Sequence, residues 1–248
     1  SGISGLACKT SYTMFLLNAL QQKYITQYEK DIENEEEKPR KITYLIFNVK
    51  GRDLLTLDMP NDKLSDEDKR IYEKELGLKP EPFQQVSYYY PFSKKDNRQH
   101  TQSNADWDDL TRQFTIDKNA KRYFYNFASC RDRLQYLFAN EPDPSGTLES
   151  IVSYIMDCGH PFGENVDTWS DFYKALAQVT VPGSPTLVGT PIALASWKKF
   201  ARIVRKFNAE DLFTDKGFDK FDTSDLVEDV FSNLNHNDVK VIDIAQLD

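Results

Sequence analysis

An α/β fold built on a mostly parallel sheet, with a block of helices embedded in it, follows from three features of the sequence. Residues 2–20 join a glycine-bearing turn to an amphipathic helical pattern, and residues 41–49 (KITYLIFNV) form an almost continuous β-branched and aromatic run. Residues 147–207 then hold three helical patterns separated by Pro- and Gly-bearing turns. A short apolar run without polar alternation suits a strand covered on both faces, the usual state of a parallel strand. A helix leading into such a strand is part of the βαβ unit from which parallel sheets are built.

Composition narrows the class. The chain has 248 residues, enough for one large domain or two small ones with a sizeable core. Apolar residues make up 40% and charged residues 28%, the balance of a globular protein in water. No apolar run reaches the 18 or more residues needed to cross a bilayer, so no membrane partner is expected. The net charge of −8 argues against a surface that binds nucleic acid all over, while leaving room for a local basic patch or a ring lined differently from its exterior. Cys8, Cys130 and Cys158 are far apart and form no C-x-x-C pair or Cys/His cluster. The expectation is a reduced, cytoplasmic protein without a cysteine-bound metal.

Taken in order, Tyr12, Phe15, Leu16, Ala19 and Leu20 recur at helical spacing and predict one buried face of the first helix. That helix is expected to run toward Ile32 and to end in the acidic stretch before Pro39. The strand 41–49 follows, placing Asn48, Lys50 and Asp53 at or just past its carboxyl end, where open α/β sheets bind ligands and where ordinary turns also form. Residues 60–82 are polar and flanked by prolines, a surface excursion with a short helix near 67–76. Residues 86–92 (VSYYYPF) predict a strand whose tyrosines pack in the core or at an edge. Residues 93–103 form a polar loop carrying Lys94, Lys95 and Arg98, a candidate for phosphate contact or a solvated loop. Helices are expected at 107–114 and 131–138 around a strand at 121–127, then at 147–158, 168–179 and 191–207. Asp167 or Ser170 is the expected cap of the second of these three, and Pro191 sits in the first turn of the third. In that third helix Lys198, Lys199, Arg202, Arg205 and Lys206 lie opposite Trp197, Phe200, Ile203 and Val204, either a phosphate-contacting surface or a solvent face. A short helix at 223–234 precedes a last strand, 238–245 (DVKVIDIA), with Asp243 near its end. The domain plan is therefore an α/β core over 1–127, a helical insertion over 128–235 and a return strand over 236–248.

The chemistry concentrates at the start. Residues 1–11 (SGISGLACKTS) set small residues before a Lys-Thr pair that opens a helix. In a phosphate-binding loop, backbone N–H groups and the helix N-terminus face an anion, the Lys reaches the β/γ-phosphates and the next hydroxyl binds Mg²⁺. Those residues here are Lys9 and Thr10. The spacing departs from G-x-x-x-x-G-K-[ST], since Cys8 replaces the second Gly and Ile3 stands where the first belongs. A glycine-rich turn that caps a helix has the same look, and the two readings stand together at this point. A phosphate loop also follows a strand, and a single residue precedes Gly2, so the sequence is expected to be a fragment. At the other end, Asp243 closes a hydrophobic strand as a Walker B Asp does, with Ile244 where a Glu would follow.

Residues 2–12 (GISGLACKTSY), 46–57 (IFNVKGRDLLTL) and 239–247 (VKVIDIAQL) together resemble the HerA-like branch of the FtsK–HerA ATPases, in particular bacterial ATP-binding proteins with a variant Walker A loop. The resemblance spans most of the chain, with its informative motifs in some thirty residues. It implies a RecA-like P-loop core with an embedded helical subdomain, acting as an ATP hydrolase that translocates or unwinds duplex DNA as a hexameric ring. It implies that Lys9 binds phosphate, that Thr10 binds Mg²⁺, and that Gly2, Ser4, Gly5, Leu6, Ala7, Cys8 and Ser11 supply loop contacts to ATP. It further implies work beside a nuclease or an NAD-consuming effector in DNA-end processing or phage defence. In the family the Asp-Glu pair lies beyond a strand like 239–247, so Asp243 has a weak claim to the metal, and the family's arginine finger and N-terminal β-barrel have no counterpart in the sequence. The competing functions are a nucleotide-gated oligomeric scaffold for an effector and a non-ATPase interaction protein. With half the active site in hand, the 248-residue chain alone is expected to bind nucleotide poorly and to show no steady-state ATP turnover in a coupled assay.

Overall fold

The computed structural model describes residues 8–34, 41–95, 98–183, 192–232 and 234–247. The run that predicts a strand at 41–49 forms β1 (Tyr44–Asn48), but not one covered on both faces: buried and exposed residues alternate, and Leu45 and Phe47 face away from the core, 39% and 51% exposed. The tyrosine-rich run forms β2 (Val86–Pro91) and the last apolar run forms β4 (Val239–Asp243). With β3 (Ala120–Tyr123) they make a four-stranded sheet in the order β1-β4-β2-β3. β4 pairs in parallel with β1, Tyr44 opposite Val239 and Asn48 opposite Asp243, and in parallel with β2, Val86 opposite Val239. The β2–β3 ladder advances in the same sense on both strands, Tyr88 N–H donating to the Asn119 carbonyl and Phe92 N–H to the Tyr123 carbonyl, so the sheet is parallel throughout. The fold class is α/β with a parallel sheet.

The chain divides into two compact units: residues 1–90, 102–121 and 228–248, and residues 91–101 and 122–227. The boundaries at 121/122 and 227/228 lie six and eight residues before the expected 127/128 and 235/236, and the loop 91–101 belongs to the second unit.

In the first unit α1 (Cys8–Asn34) lies over a core that includes Tyr44, Ile46, Leu55, Tyr88, Tyr90, Leu110, Val239 and Val241. The face it buries is the predicted one only in part, since Phe15 and Ala19 are half-buried. Tyr12, Leu16 and Leu20 are 63%, 41% and 45% exposed, and Met14 and Leu17 pack against the core instead. The reason is polar. Gln21 is buried, its Nε2 donating to the carbonyls of Gln84 and Asn237 and its Oε1 accepting from Gln84 N–H. Asn18 and Gln22 reach the carbonyls of Glu81 and Lys79. These amides stitch α1 to the segment after 77, and satisfying buried backbone groups overrides the apolar period. The excursion 60–82 holds α2 (Asp66–Arg70), capped by a reciprocal Ser65–Asp68 box and continued by a π turn (Ile71–Glu75). α3 (Trp107–Thr111) runs on into a second π turn (Arg112–Ile116).

In the second unit the expected strand at 121–127 stops at Tyr123, and α4 (Phe127–Cys130) begins where its end was predicted. The Asn126 side chain accepts from Ser129 N–H, so a cap three residues past the strand converts the apolar run into a helix start. The predicted helix 131–138 is a 3₁₀ turn (Arg131–Arg133) and the single turn α5 (Leu134–Leu137). α6 (Thr147–Met156), α7 (Trp169–Thr180), α8 (Leu194–Ala209) and α9 (Leu226–Ser232) follow. α9 crosses the division at 227/228. The cap of α7 is Thr168, which lies between the two residues expected, its side chain accepting from Asp171 N–H. Pro191 lies outside the described residues.

Aromatic packing builds this second core. Phe172 is fully buried, its ring 4.8 Å from Phe127 and 5.8 Å from Phe162, and Phe162 stacks on Trp197 at 5.5 Å. Asp215 joins the starts of two helices, accepting from Trp169 N–H at 3.0 and 3.1 Å and from Phe127 N–H at 3.3 Å. A carboxylate there answers free N–H groups and both helix dipoles. Among the described residues no helix is long and apolar enough to cross a membrane. Phe172→Ala is expected to cost about 3–5 kcal/mol in a denaturant titration, because a buried aromatic ring leaves a cavity its neighbours fill only in part.

Candidate nucleotide-binding site

α1 begins at Cys8, so Cys8, Lys9, Thr10 and Ser11 form the first turn of a 27-residue helix. Gly2, Ser4, Gly5, Leu6 and Ala7 lie outside the described residues. The first turn of any helix leaves N–H groups without intrahelical partners, and the helix dipole adds partial positive charge there. Thr10 and Ser11 are exposed and line one groove of about 420 Å³, within the size range of small-ligand sites. Asp53, Thr56 and Asn61 add polar groups to its wall, and Met14, Phe15, Leu57 and Tyr72 add apolar ones.

The residues expected at the end of β1 separate. Asp53 reaches the groove that holds Thr10. Lys50 is exposed and is not among the groove residues. Asn48 turns away from solvent, its Nδ2 donating to Asp243 Oδ1 at 2.8 Å and to the Gly51 carbonyl at 3.1 Å. Gly51 takes φ +71°, which a side chain would strain, so the glycine closes the turn that brings its carbonyl back to Asn48.

Asp243 ends β4 fully buried. Its oxygens accept from Ser103 Oγ at 2.5 Å, Asn48 Nδ2 at 2.8 Å and Ala245 N–H at 3.2 Å. Burial pushes its carboxyl above the usual range, and the donors from Ser103, Asn48 and Ala245 offset part of that rise. A carboxylate held this way locks the carboxyl ends of β1 and β4 together, and it is not among the residues that line the Thr10 groove. Among the described residues no cluster of three or more His, Cys, Asp or Glu side chains is placed to hold a metal. Oxygen groups on the wall of the Thr10 groove include the Thr10 hydroxyl and the carboxylates of Asp53 and Glu81.

A second network, absent from the sequence reading, holds the groove wall. Arg112 makes a bidentate pair with Asp58 at 2.8 and 3.1 Å and also pairs with Asp117. Tyr88 donates its hydroxyl to Asp58 at 2.6 Å and Asn119 donates at 3.2 Å. Gln113, buried, bonds Tyr90 and the Leu55 carbonyl. Together they tie 55–58 to β2 and to the π turn after α3. The π turn that presents Arg112 and Gln113 has no local signature, since its extra residue is invisible to a 3.6-residue pattern.

No protein-family model matches the chain, and no curated protein sequence matches it.

Burial raises the Asp58 carboxyl, but donors from Arg112, Tyr88 and Asn119 outweigh it and hold the group below the usual carboxylate range. Its contribution to stability is therefore complete above about pH 4 and is lost as pH falls below the unfolded-state value. Asp58→Asn is expected to cost about 1–3 kcal/mol at pH 7, the range for hydrogen bonds to charged groups, and to flatten stability against pH below 4. Denaturant titrations of both proteins between pH 2 and 7 check this.

Proposed function

We propose that the chain is the nucleotide-binding part of a cytoplasmic, HerA-like ATP hydrolase that drives DNA translocation or unwinding as a homo-oligomeric ring, beside a nuclease or an NAD-consuming effector. The observation that carries the reading is the groove shared by Thr10, Ser11 and Asp53, at the N-terminus of the helix that precedes the first strand of a parallel sheet. The resemblance of residues 2–12 to a variant Walker A loop gives that groove its ligand.

In this reading ATP supplies the phosphoryl group and Mg²⁺ neutralises its charge. Lys9 sets a fixed cation against the charge that develops on the transferred phosphoryl oxygens. Thr10 would contribute its hydroxyl to the metal, and Asp53, on the wall of the same groove, would offer a carboxylate oxygen. The dipole of α1 would orient the phosphates, with the loop contacts that the resemblance implies for Gly2 to Cys8. Asp243 acts at a distance, by holding the carboxyl end of β4 against β1 through Asn48.

The test uses the full-length protein. ATP–Mg²⁺ at about a hundred times Kd should stabilise it by about 2.7 kcal/mol through mass action. Lys9→Ala is expected to abolish hydrolysis, and Asp53→Asn to weaken the Mg²⁺ dependence of binding. Duplex DNA is expected to stimulate turnover. Hydrolysis that persists in Lys9→Ala would reject the site, and DNA-indifferent turnover would favour the nucleotide-gated scaffold.

A further inference from the structure

α8 is the most one-sided helix of the second unit. Its sixteen residues contain five cations and no Asp or Glu, in a chain with 39 acidic residues and a net charge of −8. Trp197, Phe200 and Val204 are each 1% exposed or less and belong to the aromatic core. Lys198, Lys199, Arg202, Arg205 and Lys206 are all exposed. Lys206 pairs with Glu141 at 3.0 Å, and among the described residues the other four have no carboxylate partner. A solvated helix face ordinarily mixes signs, because opposite charges at i, i+4 support the helix and like charges cost it a few tenths of a kcal/mol per pair. Here Lys198 and Arg202 stand at i, i+4, as do Arg202 and Lys206, with no acid between them.

We infer that the exposed face of α8 is a phosphate-backbone contact for nucleic acid, with Lys198, Lys199, Arg202 and Arg205 each meeting a phosphate. The occupant follows from what the helix offers. A basic amphipathic helix binds an anionic membrane by inserting its apolar face, and the apolar face of α8 is consumed in the core. A protein partner takes its energy from buried aromatic and aliphatic anchors ringed by polar groups, and the exposed face offers cations without such an anchor. A nucleic-acid backbone is a row of anions that asks only for a row of cations, spaced along a rigid support. Four cations without a carboxylate partner among the described residues span residues 198–205, about 10 Å of helix at 1.5 Å per residue. Such contacts carry no sequence information, so binding through α8 is expected to be indifferent to base sequence. The inference supplies a DNA-contacting surface for the translocase reading and depends on that reading only for the biological role of the DNA.

The experiment replaces Lys198, Lys199, Arg202 and Arg205 by Gln, a residue that keeps helix propensity and removes the charge. Binding of a fluorescent 20-base-pair duplex to the full chain is followed by anisotropy between 50 and 200 mM NaCl. Each lost phosphate contact should reduce the slope of log K against log salt by about 0.9, so the fourfold variant should lose most of the slope and bind at least a hundredfold more weakly at 50 mM salt. Two duplexes of unrelated sequence should bind wild type within twofold. An unchanged melting temperature, and an unchanged response to ATP–Mg²⁺, separate this result from misfolding and from failure of the nucleotide site. An unaltered salt slope overturns the inference, as does absence of duplex binding by wild type. It is equally overturned if the four substitutions abolish binding to phosphatidylserine vesicles or polyglutamate while leaving duplex binding intact.

Discussion

β4 comes from the far end of the chain and lies between two strands from its beginning. Tyr44–Asn48 and Val86–Pro91 do not touch each other in the ladder, and each pairs in parallel with Val239–Asp243. Val239, Val241 and Asp243 are accordingly among the most deeply buried residues of the first unit. Nearly two hundred residues of chain must be closed into a loop before β1 gains its partner, a costly non-local pairing. Gln21 reinforces the arrangement by binding the carbonyls of Gln84 and Asn237, just ahead of β2 and β4. Asn48, Asp243 and Ser103 clamp the opposite, carboxyl end.

That clamp explains why the carboxyl edge of the sheet splits into a structural half and an open half. Asp243 accepts from Ser103, Asn48 and the Ala245 N–H, and Asn48 gives its Nδ2 to Asp243 and the Gly51 carbonyl while its buried Oδ1 has no partner among the described residues. Asp53, a few residues further, is exposed and shares a groove with the first turn of α1. The Asp58–Arg112–Tyr88 network stands behind the same wall and carries the charge that the groove itself does not bury. A buried carboxylate at a strand end is thus not by itself a ligand site, because its hydrogen-bond capacity has already been used.

The second unit is organised by a different economy. Its helices are short and several begin at side-chain caps, Asn126 for α4 and Thr168 for α7, while Asp215 serves the first turn of both. Rings of Phe127, Phe162, Phe172 and Trp197 fill the space between them, which fixes α8 with its apolar side inward and its five cations outward. An arginine pair holds the loop before α9, where Arg122, 4% exposed at its side chain, meets Asp222 at 2.6 Å and Asp219 at 2.8 Å. Removing one partner of such a buried pair costs far more than the pair adds, because the remaining charge is left without solvent.

Local pattern alone was enough for much of this. The β-branched run of β1, the tyrosine run of β2, the final apolar run of β4 and the amphipathic periods of α6, α7 and α8 each encode their state in neighbouring residues. The fold class and the two-sided character of α8 follow from that. Asp53, too, was legible as a residue past a strand end. What the tertiary structure decided were the choices between locally equal alternatives. α1 has apolar residues on more than one face, and the amides of Asn18, Gln21 and Gln22 select the face through carbonyls more than fifty residues away. The apolar run at 120–127 breaks into strand and helix because Asn126 caps one and Tyr123 ends the other. Strand order, the Asn48–Asp243 clamp and the groove beside Thr10 exist only once distant segments meet, and the energy that sets them lies in hydrogen bonds whose partners no local window contains.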